Sequence, residues 1–293
     1  MASNPYLTEN LLTAIRDSGM LPPADESAQT TRLLGFVNRE QHLYLMRLLL
    51  SVREGYRYAS VDIPIVSGTD TYRVPSRAVG ASLKLVNTVD ASGGLVEQRP
   101  SAHYNIRDNS LVFVESPAAS GTLRLTYLRR FNKVVPATSA AEITAINTAT
   151  RAVTVLGIPT TSVFTSSVLY DFIQGTPHFD TLGADLSATV AGSVLTFATA
   201  LPTSLAVGDF VTLAGETPIC QAPVELHDVL MQAALVAYLE SQGDAQRAAV
   251  AEKKREQMRA DALSLLSPRV QDSAEVLINY NAPGWVRRVF RGR

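Results

Sequence analysis

Cysteine is almost missing from this chain. Cys220 is the single one in 293 residues, which excludes an intrachain disulfide and a cysteine-based zinc site. Histidine is scarce as well. His42, His103, His178 and His227 are the only four, and none has a second histidine at metal-ligand spacing; His178 and Asp180 stand alone as a pair. Each is read as a satisfied or exposed imidazole. There is no Gly-x-Gly-x-x-Gly, no Walker A sequence and no Gly-x-Ser-x-Gly elbow. Charged residues make up 18%, against about 25% for an ordinary globular domain. Either the core is large or other chains cover part of the surface; both readings stay open. The net charge of −1 excludes a strongly basic, general nucleic-acid binder. No apolar run reaches the ~18 residues needed to span a bilayer. Residues 1–12 have no basic region and no long apolar stretch, so they do not read as a secretory signal. The expectation is a protein made in a cytoplasm, and kept or assembled there, without a membrane partner.

What is present is a change of hydrophobic period along the chain. Thr8 can cap a short helix over 8–19, with Leu11, Leu12 and Ile15 on one face and Gly19 as its C′ residue. Pro22 and Pro23 break the chain. Ser27 opens a longer helix to about 54, with Leu33, Leu34, Val37, Tyr44, Leu45, Leu48, Leu49 and Val52 at helical steps, ended by Gly55. The period then becomes two. Strands are predicted at 56–66, 72–75, 82–89, 95–99, 103–107, 111–115 and 122–131. Turn chemistry at 67–70, Gly93-Gly94, Asp108-Asn109 and Ser120-Gly121 separates them.

Residues 132–219 differ in composition, with 23 Ser and Thr, two basic residues (Lys133, Arg151) and six acidic ones. Ile143 and Ala145, then Val153 and Val155, flank a turn at Asn147-Thr148 and predict a hairpin. Further strands are predicted at 194–197 and 210–213, with Gly157, Pro159, Gly175, Pro177 and Pro202 between. Frequent β-branched and aromatic residues disfavour disorder, so this stretch reads as an inserted β-domain, barrel or sandwich. Helix returns at Pro223, with Leu226, Val229, Leu230, Ala233, Ala234, Ala237 and Tyr238 on one face. Gly243 ends it. Asp244 caps a second helix to about 266, which Ser267-Pro268 stops.

The predicted class is α+β: a helical bundle built from both ends, a β-rich centre, and an inserted β-domain. The boundaries are 1–55 (N-terminal helices), 56–131 (β-rich region), 132–219 (insert), 220–268 (C-terminal helices) and 269–293 (extended tail).

Little in this pattern carries chemistry. Glu225 and Asp228 share a helical face beside His227 and are the only faint candidates for acid catalysis; the plainer reading is acidic charge complementing a helix N-terminus. Lys253, Lys254 and Arg255 interleave with acids and read as a solvated face. The tail is more distinctive. Trp285, the sole tryptophan, stands with Arg287, Arg288, Phe290, Arg291 and Arg293. Tryptophan and arginine are the residues of interface anchors, although basic residues of this kind also suit a DNA backbone. No catalytic residue, metal or cofactor is assigned, and the chain is not expected to be an enzyme.

Three segments carry a resemblance. The first is Leu33-Leu34-Gly35-Phe36-Val37-Asn38-Arg39-Glu40, running on to Leu48-Leu49-Leu50-Ser51-Val52-Arg53-Glu54-Gly55-Tyr56. The second is Asp62-Ile63-Pro64-Ile65-Val66-Ser67-Gly68, then Tyr72-Arg73-Val74-Pro75-Ser76-Arg77-Ala78. The third is Val207-Gly208-Asp209-Phe210-Val211, then Ala214-Gly215-Glu216-Thr217-Pro218-Ile219, leading through Pro223-Val224-Glu225-Leu226-His227 to Gly243-Asp244 and Ser267-Pro268-Arg269-Val270. In these the chain resembles the head-to-tail adaptor, or head completion, proteins of short-tailed bacteriophages and related prophages. The middle, about 80–206, matches only in general character.

The resemblance implies a structural virion protein at the head–tail junction. Such adaptors form a ring, usually of twelve copies, beneath the portal protein. They extend the DNA channel, help retain the packaged genome until ejection, and give the tail its platform. The partners implied are further copies of the chain, the portal, a tail-tube or nozzle protein, and passing double-stranded DNA bound without sequence specificity. The C-terminal segment of such proteins reaches the portal, which assigns portal binding to Trp285, Arg287, Arg288, Phe290, Arg291 and Arg293. A tail-tube or nozzle subunit is the alternative, and a particle-borne peptidoglycan hydrolase a more distant one.

Overall fold

The computed structural model describes residues 5–21, 26–52, 57–90, 94–114, 121–156, 164–175 and 180–266. Outside them lie the expected break at Pro22-Pro23, the predicted helix end at Glu54 and Gly55 with the strand start at Tyr56, the turn residues Gly93 and Ser120, Gly157, Pro159, Pro177 and His178, and all of 267–293. The chain is a mixed α+β protein, with helices towards both ends of the sequence and strands between them.

Helices α1 (Thr8–Gly19), α2 (Glu26–Glu40) and α3 (Met46–Val52) come first, with α4 (His227–Ser241) and α5 (Ala245–Leu266) after the strands. α1, α2 and α5 all pack on α4. This explains why α4 is buried along both faces, Val229 through Ala237 without interruption, and not on the one face expected from its apolar spacing. Thr8 does not cap α1. Its N–H and its hydroxyl both donate to the Pro218 carbonyl, at 2.9 and 2.7 Å, tying the helix to the chain that leads into α4. Gly19 is the last helical residue, and Met20 takes the left-handed conformation in its place, with φ 46°. Gly19 is needed for closeness: a Cβ there would stand 2.7 Å from Leu235 Cδ1 on α4.

One π-turn, Gln41–Leu45, joins α2 to α3. Leu33, Val37, Gln41, Leu45 and Leu49 are all fully buried, at a strict spacing of four. Four residues of α-helix overshoot a full turn by about 40°, so a straight helix would carry this row off the core. The wider turn, closed by the Met46 N–H on the Gln41 carbonyl, takes back part of that drift.

The central strands form two packed sheets. β1 (Tyr58–Pro64), β3 (Ala78–Val89), β4 (Leu95–Gln98) and β7 (Thr122–Arg129) make one, in the order β1-β7-β3-β4; β2 (Thr71–Arg73), β5 (Tyr104–Arg107) and β6 (Ser110–Phe113) make the other, in the order β2-β6-β5. All pairings are antiparallel. Tyr72, Val86, Leu111, Phe113, Leu123 and Leu125 fill the space between them.

A closed six-stranded barrel follows. β9 (Ala141–Asn147), β10 (Ala152–Leu156), β11 (Leu169–Ile173), β12 (Thr181–Ala191), β13 (Val194–Phe197) and β14 (Phe210–Leu213) run in the order β10-β13-β12-β11-β14-β9, and β9 pairs back to β10. Ile143, Val153, Tyr170, Phe172, Leu195, Phe197 and Val211 fill its interior, which is therefore a packed core. The chain reaches the barrel through β8 (Lys133–Val134) and leaves through β15 (Glu216–Thr217), which lie side by side in parallel.

Candidate functional site

Where helices, sandwich and barrel meet, a set of polar side chains is buried together. Asn132, just before β8, is the hub. Its Nδ2 donates to Asp171 Oδ2 at 3.1 Å and to the Glu216 carbonyl at 3.1 Å. Its Oδ1 accepts from Arg77 Nη1 at 3.3 Å. Its carbonyl accepts from Gln41 Nε2 at 2.8 Å, and its N–H donates to Gln221 Oε1 at 3.3 Å. One residue thus holds the π-turn of the helices, the strand β11 of the barrel and both connections between them.

Asp171 is fully enclosed. Arg77 Nη2 lies 2.6 Å from its Oδ2, and the N–H groups of Asp185 and Gly215 donate to Oδ1 and Oδ2 at 3.0 and 2.9 Å. Burial pushes the carboxyl above the usual carboxylate range; Arg77 and the two N–H groups pull it down and only partly offset this. Three of its donors converge on Oδ2 and one on Oδ1, so the carboxylate is held from several elements at once. Arg77 also reaches Asp185 at 3.4 Å.

Beside this lies Arg57, buried and stacked over the Phe131 ring at 4.3 Å. It donates to the Gln221 and Arg130 carbonyls at 3.3 and 3.2 Å. Burial first, then the nearby Arg129, lowers its pKa to about 9, and Arg129 is lowered by burial too. Both guanidinium groups remain charged at neutral pH. Gln221 completes the set by donating to Thr181 Oγ1 at 2.8 Å.

The residues singled out from sequence are not among these. Trp285, Arg287, Arg288, Phe290, Arg291 and Arg293 lie outside the described residues. Glu225 and Asp228 are exposed. His227 Nε2 lies 3.2 Å from the Cys220 carbonyl and 3.1 Å from that of Ala222, so it carries the proton and donates to the backbone. Burial opposes its charged form, but Cys220 and these carbonyls outweigh it and hold its pKa above the ordinary value. Among the described residues no group of three or more His, Cys, Asp or Glu is placed to hold a metal ion, and no helix is long and apolar enough to cross a membrane.

Arg77, Asn132 and Asp171 went unremarked in the sequence as site residues. One local signal existed: Asp171 is a lone acid in the apolar run 169–173, where every residue but the first is buried. The surface carries a second kind of signal. Met20, Val250 and Leu265 on the helices, and Leu95, Val96 and Val114 on the sandwich, are large apolar side chains facing solvent.

No protein-family model matches the chain, and no curated protein matches it.

Proposed function

We propose that the chain is a structural subunit of a bacteriophage head-to-tail adaptor, forming a ring beneath the portal that extends the DNA channel, helps retain the genome and carries the tail. The observation that carries this reading is the set of exposed apolar side chains on two separate layers of the fold, Met20 and Val250 on the helices and Leu95 and Val96 on the sandwich. Exposed apolar groups on different parts of a chain with 18% charge suit a subunit flanked by others. The resemblance of 33–56, 62–78 and 207–270 to adaptor proteins supports the same reading.

In this account the helices of both ends form a bundle that packs side by side around the ring, the sandwich joins them, and the barrel is a peripheral or tail-side element. The buried junction at Asn132 keeps the three parts in fixed relation, as a load-carrying ring requires. The tail residues Trp285, Arg287, Arg288, Phe290, Arg291 and Arg293 dock on the portal. Mixing the full chain with isolated portal and imaging by electron microscopy tests the reading: a ring seated on the portal supports it, and portals left bare contradict it.

A further inference from the structure

We infer that the outer face of the three-stranded sheet β2-β6-β5 meets the phosphate backbone of double-stranded DNA, as part of the channel wall. This rests on the ring reading and deepens it.

Strand register decides what this face presents. Arg73 and Arg107 both pair with Ser110, and Thr71 and Asn105 both pair with Val112. Directly paired residues of neighbouring strands project to the same side. The six therefore form two rows across the sheet, Arg73-Ser110-Arg107 and Thr71-Val112-Asn105. The alternate residues Tyr72, Leu111 and Phe113 are buried between the two sheets, which turns both rows outward. Thr71, Arg73, Asn105 and Arg107 are exposed, and Ser110 and Val112 on the middle strand are partly so.

Neither row contains an acid. Arginine, serine, threonine and asparagine are side chains that hold phosphate oxygens. The two arginines flank a hydroxyl, with their backbones about 9.6 Å apart across two strand spacings. Among the described residues neither has a hydrogen-bond or ion-pair partner. Arg124, on the outer face of the other sheet, is by contrast paired with Asp62 at 2.8 Å. One face of the sandwich neutralises its own arginine, and the other leaves two guanidinium groups for an anion from outside.

Two acids border the face without pairing with its arginines. Asp70 precedes β2 and accepts from Thr71 Oγ1 at 2.9 Å. Asp108 stands in the tight turn from β5 to β6, where it and Asn109 take φ of 48° and 57°. On a chain of net charge −1 the contact of each copy is weak, and a ring repeats it. Backbone contacts of this kind read no sequence, as passing DNA requires.

The test uses the full chain and a labelled DNA duplex, with binding followed by fluorescence anisotropy from about 50 to 200 mM salt. Wild type should bind, and more weakly as salt rises. Arg73→Gln and Arg107→Gln should each flatten the slope of log affinity against log salt by about 0.9. Their thermal midpoints should match wild type, because neither arginine has a partner within the chain to lose. Asp108→Asn should bind more tightly. Arg259→Gln, the same charge change on α5, should leave the slope as it is. A wild-type chain that ignores the duplex at the lowest salt, arginine variants with the wild-type slope, or an equal effect of Arg259→Gln would each overturn the contact. The chain carrying both sheet substitutions should still seat rings on isolated portal; if it leaves portals bare while the DNA slope is unchanged, the face is a protein interface and the DNA contact is wrong. Wild-type rings on portals with a slope indifferent to both arginines would remove this contact and leave the ring standing. Wild type that leaves portals bare removes the ring reading, and the slope then still decides whether this face meets DNA.

Discussion

Arg77 Nη2 stands 2.6 Å from Asp171 Oδ2, linking the residue that precedes a sandwich strand to the middle of a barrel strand. Both side chains are withdrawn from solvent, so each is held in place by the charge of the other.

Removing one partner strands the other. Asp171→Ala and Arg77→Met should each lower stability by about 3–5 kcal/mol, read by urea denaturation. Combined, they should cost clearly less than the sum, because no lone charge remains. Strictly additive losses would show that the two do not act as a pair.

Gln41 holds the π-turn to the hub through the Asn132 carbonyl at 2.8 Å, and its Oε1 faces Cys220 Sγ at 3.7 Å. Gln41→Leu keeps the bulk and leaves that carbonyl without its donor, a loss of about 1–3 kcal/mol. A thermal midpoint equal to wild type would remove Gln41 from the junction.

Gly19→Ala tests the close approach of α1 to α4. The added methyl meets Leu235, and overpacking of this kind costs about 1–3 kcal/mol. Gly19→Ala combined with Leu235→Val, which removes the contacted methyl, should recover part of it; no recovery would place the cost elsewhere.

Asp62 pairs with Arg124 across β1 and β7 at 2.8 Å, and the hydrogen bonds from Arg124 hold its carboxyl below the usual range. A depressed folded-state value means the pair stabilises above the unfolded carboxylate's pKa, and that this is lost as pH falls through the folded value. Asp62→Asn should therefore be less stable than wild type at neutral pH, with the gap closing in acid. The site is exposed, so the gap is small; a gap that widens in acid would reverse the sign and contradict the assignment.

The mixed α+β class was legible because local periodicity survives in the fold. Asp244 caps α5 as its position suggests, accepting from the Arg247 N–H at 3.0 Å, and strands predicted at 194–197 and 210–213 match β13 and β14. Other features depend on distant partners. β12 spans Thr181–Ala191 through Gly183 and a left-handed Asp185, poor strand formers held by β11 and β13. Thr8 has cap chemistry, yet its hydroxyl is claimed by Pro218, 210 residues away. The junction is the extreme case. Gln41, Arg77, Asn132 and Asp171 share no spacing, and nothing local marks them except the single acid among the apolar residues of β11. The π-turn was hidden differently: the row of Leu33, Val37, Gln41, Leu45 and Leu49 includes a polar residue, which breaks the apolar pattern at the point where the helix widens.

The central claim is that this chain docks on a portal as a ring, through its tail. The most direct measurement is binding of the full chain and of a chain lacking 281–293 to isolated portal, imaged by electron microscopy. The account predicts rings on portals for the full chain, and bare portals for the truncated one, whose unfolding midpoint stays close to that of the full chain. Rings of the truncated chain seated on portals with undiminished affinity would contradict the tail assignment, and a full chain that leaves portals bare would contradict the adaptor reading itself.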